Sequence, residues 1–567
     1  MDGLIMGINP CVSGMNYHDP SVCLLDSGRI IFAIEEERLN RKRHSSGLFP
    51  ALAVEECKLI AEQLKLPITD IAVGFEPSLS QRRNMGEPGL LDARTRMAVL
   101  LRRISGLHNA KVSFYPHHKA HAASAANVTE TEQAMCVVFD GTGELSAASV
   151  WVAKDDSFTL IDSVDMPNSL GYFYAAATAY LGFQPWGEEG KLMALAPYGN
   201  PDSTIMNHLT RFFNLSDDNS YDVSTLIGPC LCDGFALDIE KAVSSFEQLF
   251  QQPRRLPGVQ LSLWHRNFAF CIQDTIEKVV LSYIKKWQQR IKPSWICCSG
   301  GLFMNCKMNG FLRERLAPTG FSVQPVAGDA GTAIGAAVLC AQEKAKKRIV
   351  INLEELSLGI AYSEKQVEDV LRSSGVKYYR SADIAEECAR FIYNGNIVAW
   401  FQGKSELGCR ALGHRSILAA PTPHEMSDVI NSRVKHREEW RPFACSMLED
   451  FAPVILEGYP MDNRPAYMIE AYPVVARWHS CMEAVMHSAD NTTRPQVVRK
   501  EGVNELYYDM LKHYFTLSGF PMVLNTSLND KGQPIIQTPQ EAIAFFLDHR
   551  IDYLIIDHFV VHKNEND

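Results

Sequence analysis

The chain has 567 residues, 46% of them hydrophobic and 21% charged, with a formal net charge of −11. That length suggests two to four domains with ample core, and the acidic balance argues against a large nucleic-acid footprint or an anionic membrane surface. No run of roughly 18 apolar residues points to a membrane-spanning helix, and the 15 scattered cysteines hold no C-x2-C pair, so neither a zinc finger nor a redox dithiol is signalled.

In chain order, GLIMGIN is the first predicted strand. SVCLL and RIIFAIEEE are two more, joined by the hairpin turn Asp26-Ser27-Gly28. Helices are predicted around 51–65 and 92–105. AMCVVFD and ASVWVA are strands on either side of the GTGE turn, and SLGYFYAAATAYLGF is a helix packed on its aromatic side. SWICCSGG is a buried strand that runs into a glycine turn, and GTAIGAAVLCAQEKAKK is a helix that ends in charge. KKRIVINLEELSLGIAYS reads as a crossover, which divides the chain into domains 1–355 and 356–567. Beyond it come helix EECARFIYN, strand IVAWFQG, basic loops, strand MVLNTS and a closing strand YLIIDHFVVH. The return of glycine turns through the first domain is compatible with a duplicated α/β nucleotide-binding core. The N-terminus, MDGLIMGINPC, lacks the basic start and apolar stretch of a signal peptide, and a cytoplasmic location is expected.

Three short motifs in the first domain share one chemistry. His117 and His121 stand four apart in PHHKAHAAS, which puts both imidazoles on one face of a helix. His118 points off that face and is a bystander. Asp140 in VVFDGTGE and Asp329 in GDAGTAIGAA each lie at a strand-to-glycine turn. Two His and two Asp make a nitrogen and oxygen site suited to Fe²⁺, Mn²⁺ or Zn²⁺, and the glycines leave room for a phosphate or ribose. SGGLFMN places Gly301 and Asn305 where backbone amides can meet such a group. WGEEGKLMALAPYG, with Glu189 and Lys191, reads as a pocket wall. The second domain carries cations on loops: Arg410, Arg415, Lys435, Arg437, Arg441 and Arg494, with Asn525 and Ser527 beside them. In an acidic chain that set reads either as solvated surface charge or as an anion pocket, since guanidinium forks bind phosphate bidentately. No G-x4-G-K-[ST] and no G-x-S-x-G occurs, so neither a P-loop ATPase nor that type of serine hydrolase is signalled.

The blocks YHDPSVCLLDSGRIIFAIEEERLNRKRH, HHKAHAASA, VVFDGTGE, SLGYFY, EGKLMALAPYG, SGGLFMN, GDAGTAIGAA, GCRALGHRSIL, VKHREEWRPFA, TTRPQ and NTSLNDKGQPI resemble, in order and over nearly the full length, the O-carbamoyltransferases of the nodulation and antibiotic-biosynthesis type. The resemblance implies an actin-like (Kae1-like) duplicated α/β domain followed by a YrdC-like α/β domain. It implies that the second domain makes carbamoyl-adenylate from carbamoyl phosphate and ATP, with Mg²⁺ as a companion of ATP. The first domain then passes the carbamoyl group to a hydroxyl of a small natural-product acceptor. Carried over by motif, His117, His121, Asp140 and Asp329 hold a divalent metal, with Fe²⁺ the expected ion. Arg43, Gly171, Gly301 and Asn305 meet the adenylate. Arg410, Lys435, Arg441, Arg494, Asn525 and Ser527 meet carbamoyl phosphate and ATP. His18 sits near the acceptor and, with Asp140, is a catalytic candidate. The sequence departs from the family pattern at Arg43, Cys409, His414, Leu528 and Gln533 without removing a predicted catalytic group.

Four other readings compete with this one. A tRNA threonylcarbamoyl-type modification enzyme fits poorly with the −11 charge. Thiol carbamoylation in hydrogenase maturation comes with zinc-finger cysteine pairs absent here. A sugar kinase would not need the basic second domain, and a non-catalytic scaffold would not need intact metal and anion sets. The acceptor has no readable code; the loop CVSGMNY and the stretch 200–262 are expected to shape its pocket.

Overall fold

The computed structural model describes residues 3–11, 18–79, 92–128, 131–214, 220–232, 235–317, 319–353, 355–460, 466–502 and 504–563. They form two compact units. The first takes residues 1–36 and 45–351; the second takes 37–44 and 352–567. Most of the loop CVSGMNY lies outside the described residues.

In the first unit, β1 (Leu4–Asn9), β2 (Ser21–Asp26), β3 (Arg29–Glu35), β4 (Ile68–Val73) and β5 (Lys111–Phe114) form a sheet in the order β3-β2-β1-β4-β5. A second sheet opens with β6 (Gln133–Phe139), β7 (Ser146–Lys154) and β8 (Ser157–Asp165). A separate short ladder follows, β9 (Phe213–Asn214) with β10 (Ser220–Tyr221). Then β11 (Trp295–Ser299) and β12 (Gly320–Val323) complete the second sheet in the order β12-β11-β6-β7-β8. The two sheets repeat one topology. In each, the first three strands are antiparallel neighbours, and the last two add in parallel to the other side of the first. The parallel additions need helical crossovers, supplied in the first repeat by helices Ala51–Leu64 and Ala93–Ser105. Central strand β1 is buried at every position, so it reads as a continuous apolar run without alternation.

Each repeat closes with a helix after its fifth strand: His117–Ala126 after β5, and Thr332–Ala345 after β12. These two helices pack on each other. Their approach is set by Gly335, where an added Cβ would lie 1.8 Å from the Ala120 carbonyl oxygen. Gly335→Ala is therefore expected to destabilise the unit by more than about 2 kcal/mol, read as a lowered midpoint in denaturant unfolding. Helix Leu170–Tyr180 is buried nearly all round rather than on one aromatic side. Tyr180 packs with Phe246, Phe250 and Phe268, so part of the stretch 200–262 belongs to an aromatic core.

The second unit is a mixed eight-stranded sheet. Its strands are β13 (Tyr378–Arg380), β14 (Val398–Phe401), β15 (Arg415–Ala419), β16 (Ala444–Leu448), β19 (Gln496–Val498), β20 (Met522–Ser527), β21 (Tyr553–Ile556) and β22 (Phe559–His562). A small ladder of β17 (Tyr472–Pro473) and β18 (Thr492–Thr493) stands apart from it. Alternate residues of β14 serve opposite cores. Val398 and Trp400 pack with Ile392, Tyr507 and Leu511, while Ala399 and Phe401 pack with Leu371, Ile543 and Phe546. The closing segment YLIIDHFVVH is two antiparallel strands rather than one. Asp557 turns the chain with φ 53°, a conformation that Asp tolerates better than most residues.

The segment Glu37–His44 is an insertion from the first unit's sequence into the second. Arg38, 1% exposed, donates to the Gly408 carbonyl at 2.6 Å. Arg41 donates to the carbonyls of Ile535 (2.7 Å) and Pro534 (2.8 Å) and pairs with Glu541 at 3.1 Å. Among the described residues, no helix is long and apolar enough to cross a membrane.

Candidate metal centre and anion cluster

The first unit brings His117, His121, Asp140 and Asp329 together in its interior, with one ligand atom from each lying within 4.8 Å of all the others. The repeat explains how. His117 starts the closing helix of the first repeat, and Asp329 immediately precedes that of the second. Asp140 directly follows β6, the first strand of the second repeat, and His18 lies between β1 and β2 of the first, three residues before β2.

The tautomers decide what the cluster can hold. His117 Nδ1 lies 3.1 Å from the Gly74 carbonyl, which only accepts, so that nitrogen carries the hydrogen. His121 Nδ1 lies 3.0 Å from Ser299 Oγ, whose hydroxyl donates to the Ala327 carbonyl, so it too is the donor. In the neutral rings both Nε2 atoms are then bare, and they face each other at 3.1 Å. Asp140 Oδ2 is 3.1 Å from His117 Nε2 and 3.6 Å from that of His121; Asp329 Oδ1 is 3.5 Å from each. Converging lone pairs on two imidazoles and two carboxylates call for a cation, and the donor set fits a divalent transition metal. Protons are the alternative. Burial disfavours a charged His117, but Asp329 and Asp140 outweigh it and hold its pKa well above the ordinary value. Burial likewise opposes ionised Asp140, and His117 and His121 hold it well below the usual carboxylate range.

Asp140 Oδ1 accepts from the Gly301 amide at 2.9 Å, leaving Oδ2 for the centre. Gly171 opens helix Leu170–Tyr180 against the same aspartate; a Cβ there would come within 2.7 Å of the Asp140 carbonyl. His18 Nδ1 pairs with Asp19 at 3.0 Å, and its Nε2 is 3.7 Å from Asp329 Oδ2. Burial works against its charge, yet Asp329 and Asp19 raise its pKa to about 10. His118 turns away to Ser149, 2.9 Å from its Nδ1, and burial lowers its pKa to about 3. Asn305 caps helix Cys306–Leu316 through the Met308 amide, and its own amide group reaches Gln273 at 2.8 Å. Arg43 lies on the segment that belongs to the second unit.

In the second unit, Lys435 is 6% exposed. Its ammonium donates to the Ser527 carbonyl and, at 2.9 Å each, to the Asn529 carbonyl and Oδ1. Burial lowers its pKa well below the ordinary value, and Arg437 and Arg441 push the same way. Arg437 is lowered too, first by burial and then by Arg441 and Arg494, against the single carboxylate of Glu438. Its guanidinium stacks 3.8 Å over the Phe443 ring and reaches Asn431 Oδ1 at 3.1 Å. Four cations thus crowd together, an arrangement that favours a bound anion. Asn525 lies on β20 with its Nδ2 shared among Ala411, Ser446 and Gln496. Arg410 is half-buried and is not among the charges that act on Lys435 or Arg437. Arg415 is not a pocket cation. It is fully buried, stacked 3.6 Å over Phe401, with its guanidinium bonded to the carbonyls of Gln402 and Gly403. Sequence reasoning put Arg415 and Arg437 in one group; only their burial partners separate them.

Comparison with known proteins gives this geometry a family. The model of the carbamoyltransferase N-terminus matches residues 90–338, and that of the carbamoyltransferase C-terminus matches residues 389–563. The chain belongs to the carbamoyltransferase family. As a carbamoyltransferase it is 30% identical over 561 residues to nodulation protein NolNO of Sinorhizobium fredii, covering 96% of this chain and 79% of that one. It is 31% identical over 599 residues to an uncharacterized protein of Synechocystis sp., covering 96% and 95%. Nodulation protein U of Rhizobium fredii is 27% identical over 549 residues, covering 91% and 89%. The resemblance drawn from the motifs is thereby established, and the enzyme class with it.

Proposed function

We propose that this carbamoyltransferase is ATP-dependent and works in two stages on a small natural-product alcohol. The observation that carries the proposal is the division of chemistry between the units: a four-ligand His and Asp cluster in the first, a cluster of like-charged cations in the second. The repeated sheet of the first unit supports the actin-like reading of that domain, with 356–567 as the YrdC-like, adenylate-forming domain.

Carbamoyl phosphate and ATP, with Mg²⁺ on the nucleotide, bind at Lys435, Arg437, Arg441 and Arg494, with Arg410 and Ser527 alongside. Asn525 Oδ1 is buried and has no donor among the described residues; the amide of a carbamoyl group is such a donor. Water cleaves phosphate from carbamoyl phosphate, an oxygen of the resulting carbamate attacks the α-phosphorus of ATP, pyrophosphate departs, and carbamoyl-adenylate is the product of this stage. Gly171, Gly301 and Asn305 of the first unit are proposed adenylate contacts, and Arg43, on the segment Glu37–His44, is proposed as another. A divalent ion, Fe²⁺ by preference, held by His117, His121, Asp140 and Asp329 supplies Lewis acidity toward the carbamoyl oxygen. His18, oriented by Asp19, is assigned to take the proton of the acceptor hydroxyl in the neutral form it would reach once a bound cation offsets the Asp329 charge that raises its pKa, as the carbamoyl carbon–oxygen ester bond forms and AMP departs. The acidic chain needs neither nucleic acid nor membrane for this, and the cytoplasm suits it. Incubation with carbamoyl phosphate, ATP and a panel of hydroxylated natural products, followed by mass spectrometry, tests the reading. A gain of one carbamoyl group that requires ATP is expected. Transfer that proceeds equally well without ATP would overturn the two-stage scheme.

A further inference from the structure

The helix that carries His117 and His121 begins without a cap of its own. Pro116 stands at its N-cap and has no side-chain hydrogen bond to give, while the amides of a first turn need an acceptor. The acceptor is Glu144, on the turn between β6 and β7, four residues past Asp140. Its carboxylate is 4% exposed. Oε1 accepts from the amide of His117 at 2.9 Å and from that of Glu76 at 2.6 Å, and Oε2 faces the same His117 amide at 3.1 Å. Glu76 is two residues beyond Gly74, whose carbonyl holds His117 Nδ1. One buried side chain therefore joins the loop after β4, the start of the helix and the turn that follows Asp140. The loop after β4 matters because its carbonyl selects the His117 tautomer with a bare Nε2. A carboxylate at a helix start is also favoured by the helix dipole, and it places a further negative charge beside the cluster.

We infer that Glu144 is a positioning residue for the metal centre, holding His117 in the tautomer and orientation that ligation requires; this rests on the metal reading of the cluster. Groups that orient ligands in this way typically change metal affinity by about 10- to 100-fold when removed. A carboxylate with only a folding role would change stability and leave the affinity of the folded protein alone.

The test uses the full chain and Co²⁺ as a spectroscopic probe, with affinity measured by chelator competition and folding checked by circular dichroism. Wild type is expected to bind Co²⁺ at one site with a visible ligand-field spectrum. Glu144→Ala is expected to bind about 10- to 100-fold more weakly with an altered spectrum. Glu144→Gln keeps an acceptor at the Oε1 position and should recover most of the affinity. Glu144→Asp keeps the charge but is one methylene too short to span both amides, so it should stay weak; it stands in for Ala if that variant does not fold. Ala or Asp variants with wild-type affinity and spectrum would overturn the inference about Glu144. A wild-type chain that binds no Co²⁺, Mn²⁺ or Fe²⁺ would instead overturn the metal reading beneath it.

Discussion

His121→Ala is expected to abolish carbamoyl transfer while pyrophosphate release from ATP and carbamoyl phosphate continues. The imidazole is fully buried, and its Nε2 meets His117 Nε2, Asp140 and Asp329. Removing it deletes one of the four proposed ligands, which should cost at least the roughly 100-fold affinity that loss of a mere orienting partner can cost. Elemental analysis of wild type and variant should show bound divalent ion in the first and little in the second. Equal metal content would remove His121 from the site. The proton alternative gives the same site a pH signature. His117 has a raised pKa in the ion-free cluster, so it keeps its proton through neutrality, and an incoming metal must displace that proton. Apparent affinity should therefore rise with pH between about 6 and 8, with proton release on binding. Chelator competition along that range measures it, and a flat profile would contradict the assignment.

Arg441→Ala is expected to weaken use of carbamoyl phosphate by about 10- to 100-fold, because a charge-assisted hydrogen bond contributes about 1.5–3 kcal/mol and 1.4 kcal/mol is about tenfold. Transfer from pre-made carbamoyl-adenylate should survive, since in the proposed two-stage scheme that stage does not use the cluster. The structure adds a second readout. Arg441 acts on Lys435 and Arg437 as a like charge, with Glu438 its ion-pair partner at 3.6 Å. Removing it relieves repulsion in the folded state, so the ligand-free variant should unfold at an unchanged or higher temperature. A solvated surface charge would instead leave carbamoyl phosphate kinetics at the wild-type value.

Much of this was legible in the sequence, for local reasons. The hairpin at Asp26-Ser27-Gly28 and the helix over 51–64 are written in turn chemistry and periodicity. His117 and His121 were legible because four residues is one helical turn, and His118 was legible as a bystander for the same reason. What stayed hidden depends on partners far along the chain. Glu144 sits in the very motif that marks Asp140, yet its role appears only when Glu76 and His117 meet it. Arg415 and Arg437 are indistinguishable as loop arginines; one is spent on carbonyls and a phenylalanine face, the other crowds with its own kind. The hairpin at Asp557 has no glycine to announce it, so two strands read as one. The repeat of one sheet order lies in pairing, which no single stretch encodes.

The segment Glu37–His44 bears on how such a protein can be cut or recombined. The second unit does not begin at Asn352; eight of its residues are encoded far upstream, between β3 and helix Ala51–Leu64. A fragment starting at Asn352 would keep the eight strands but lose Arg38 and Arg41, which are seated on the loops around Gly408 and Pro534 and on helix Pro539–Asp548. The Gly408 carbonyl would lose Arg38, and Glu541 with the carbonyls of Pro534 and Ile535 would lose Arg41. Exchange of C-terminal halves between relatives is therefore a two-piece operation. A chimera joined only near residue 352 pairs one parent's strap with another parent's seat, and Arg38 and Arg41 are heritable with residues 408 and 534–541 rather than with their sequence neighbours.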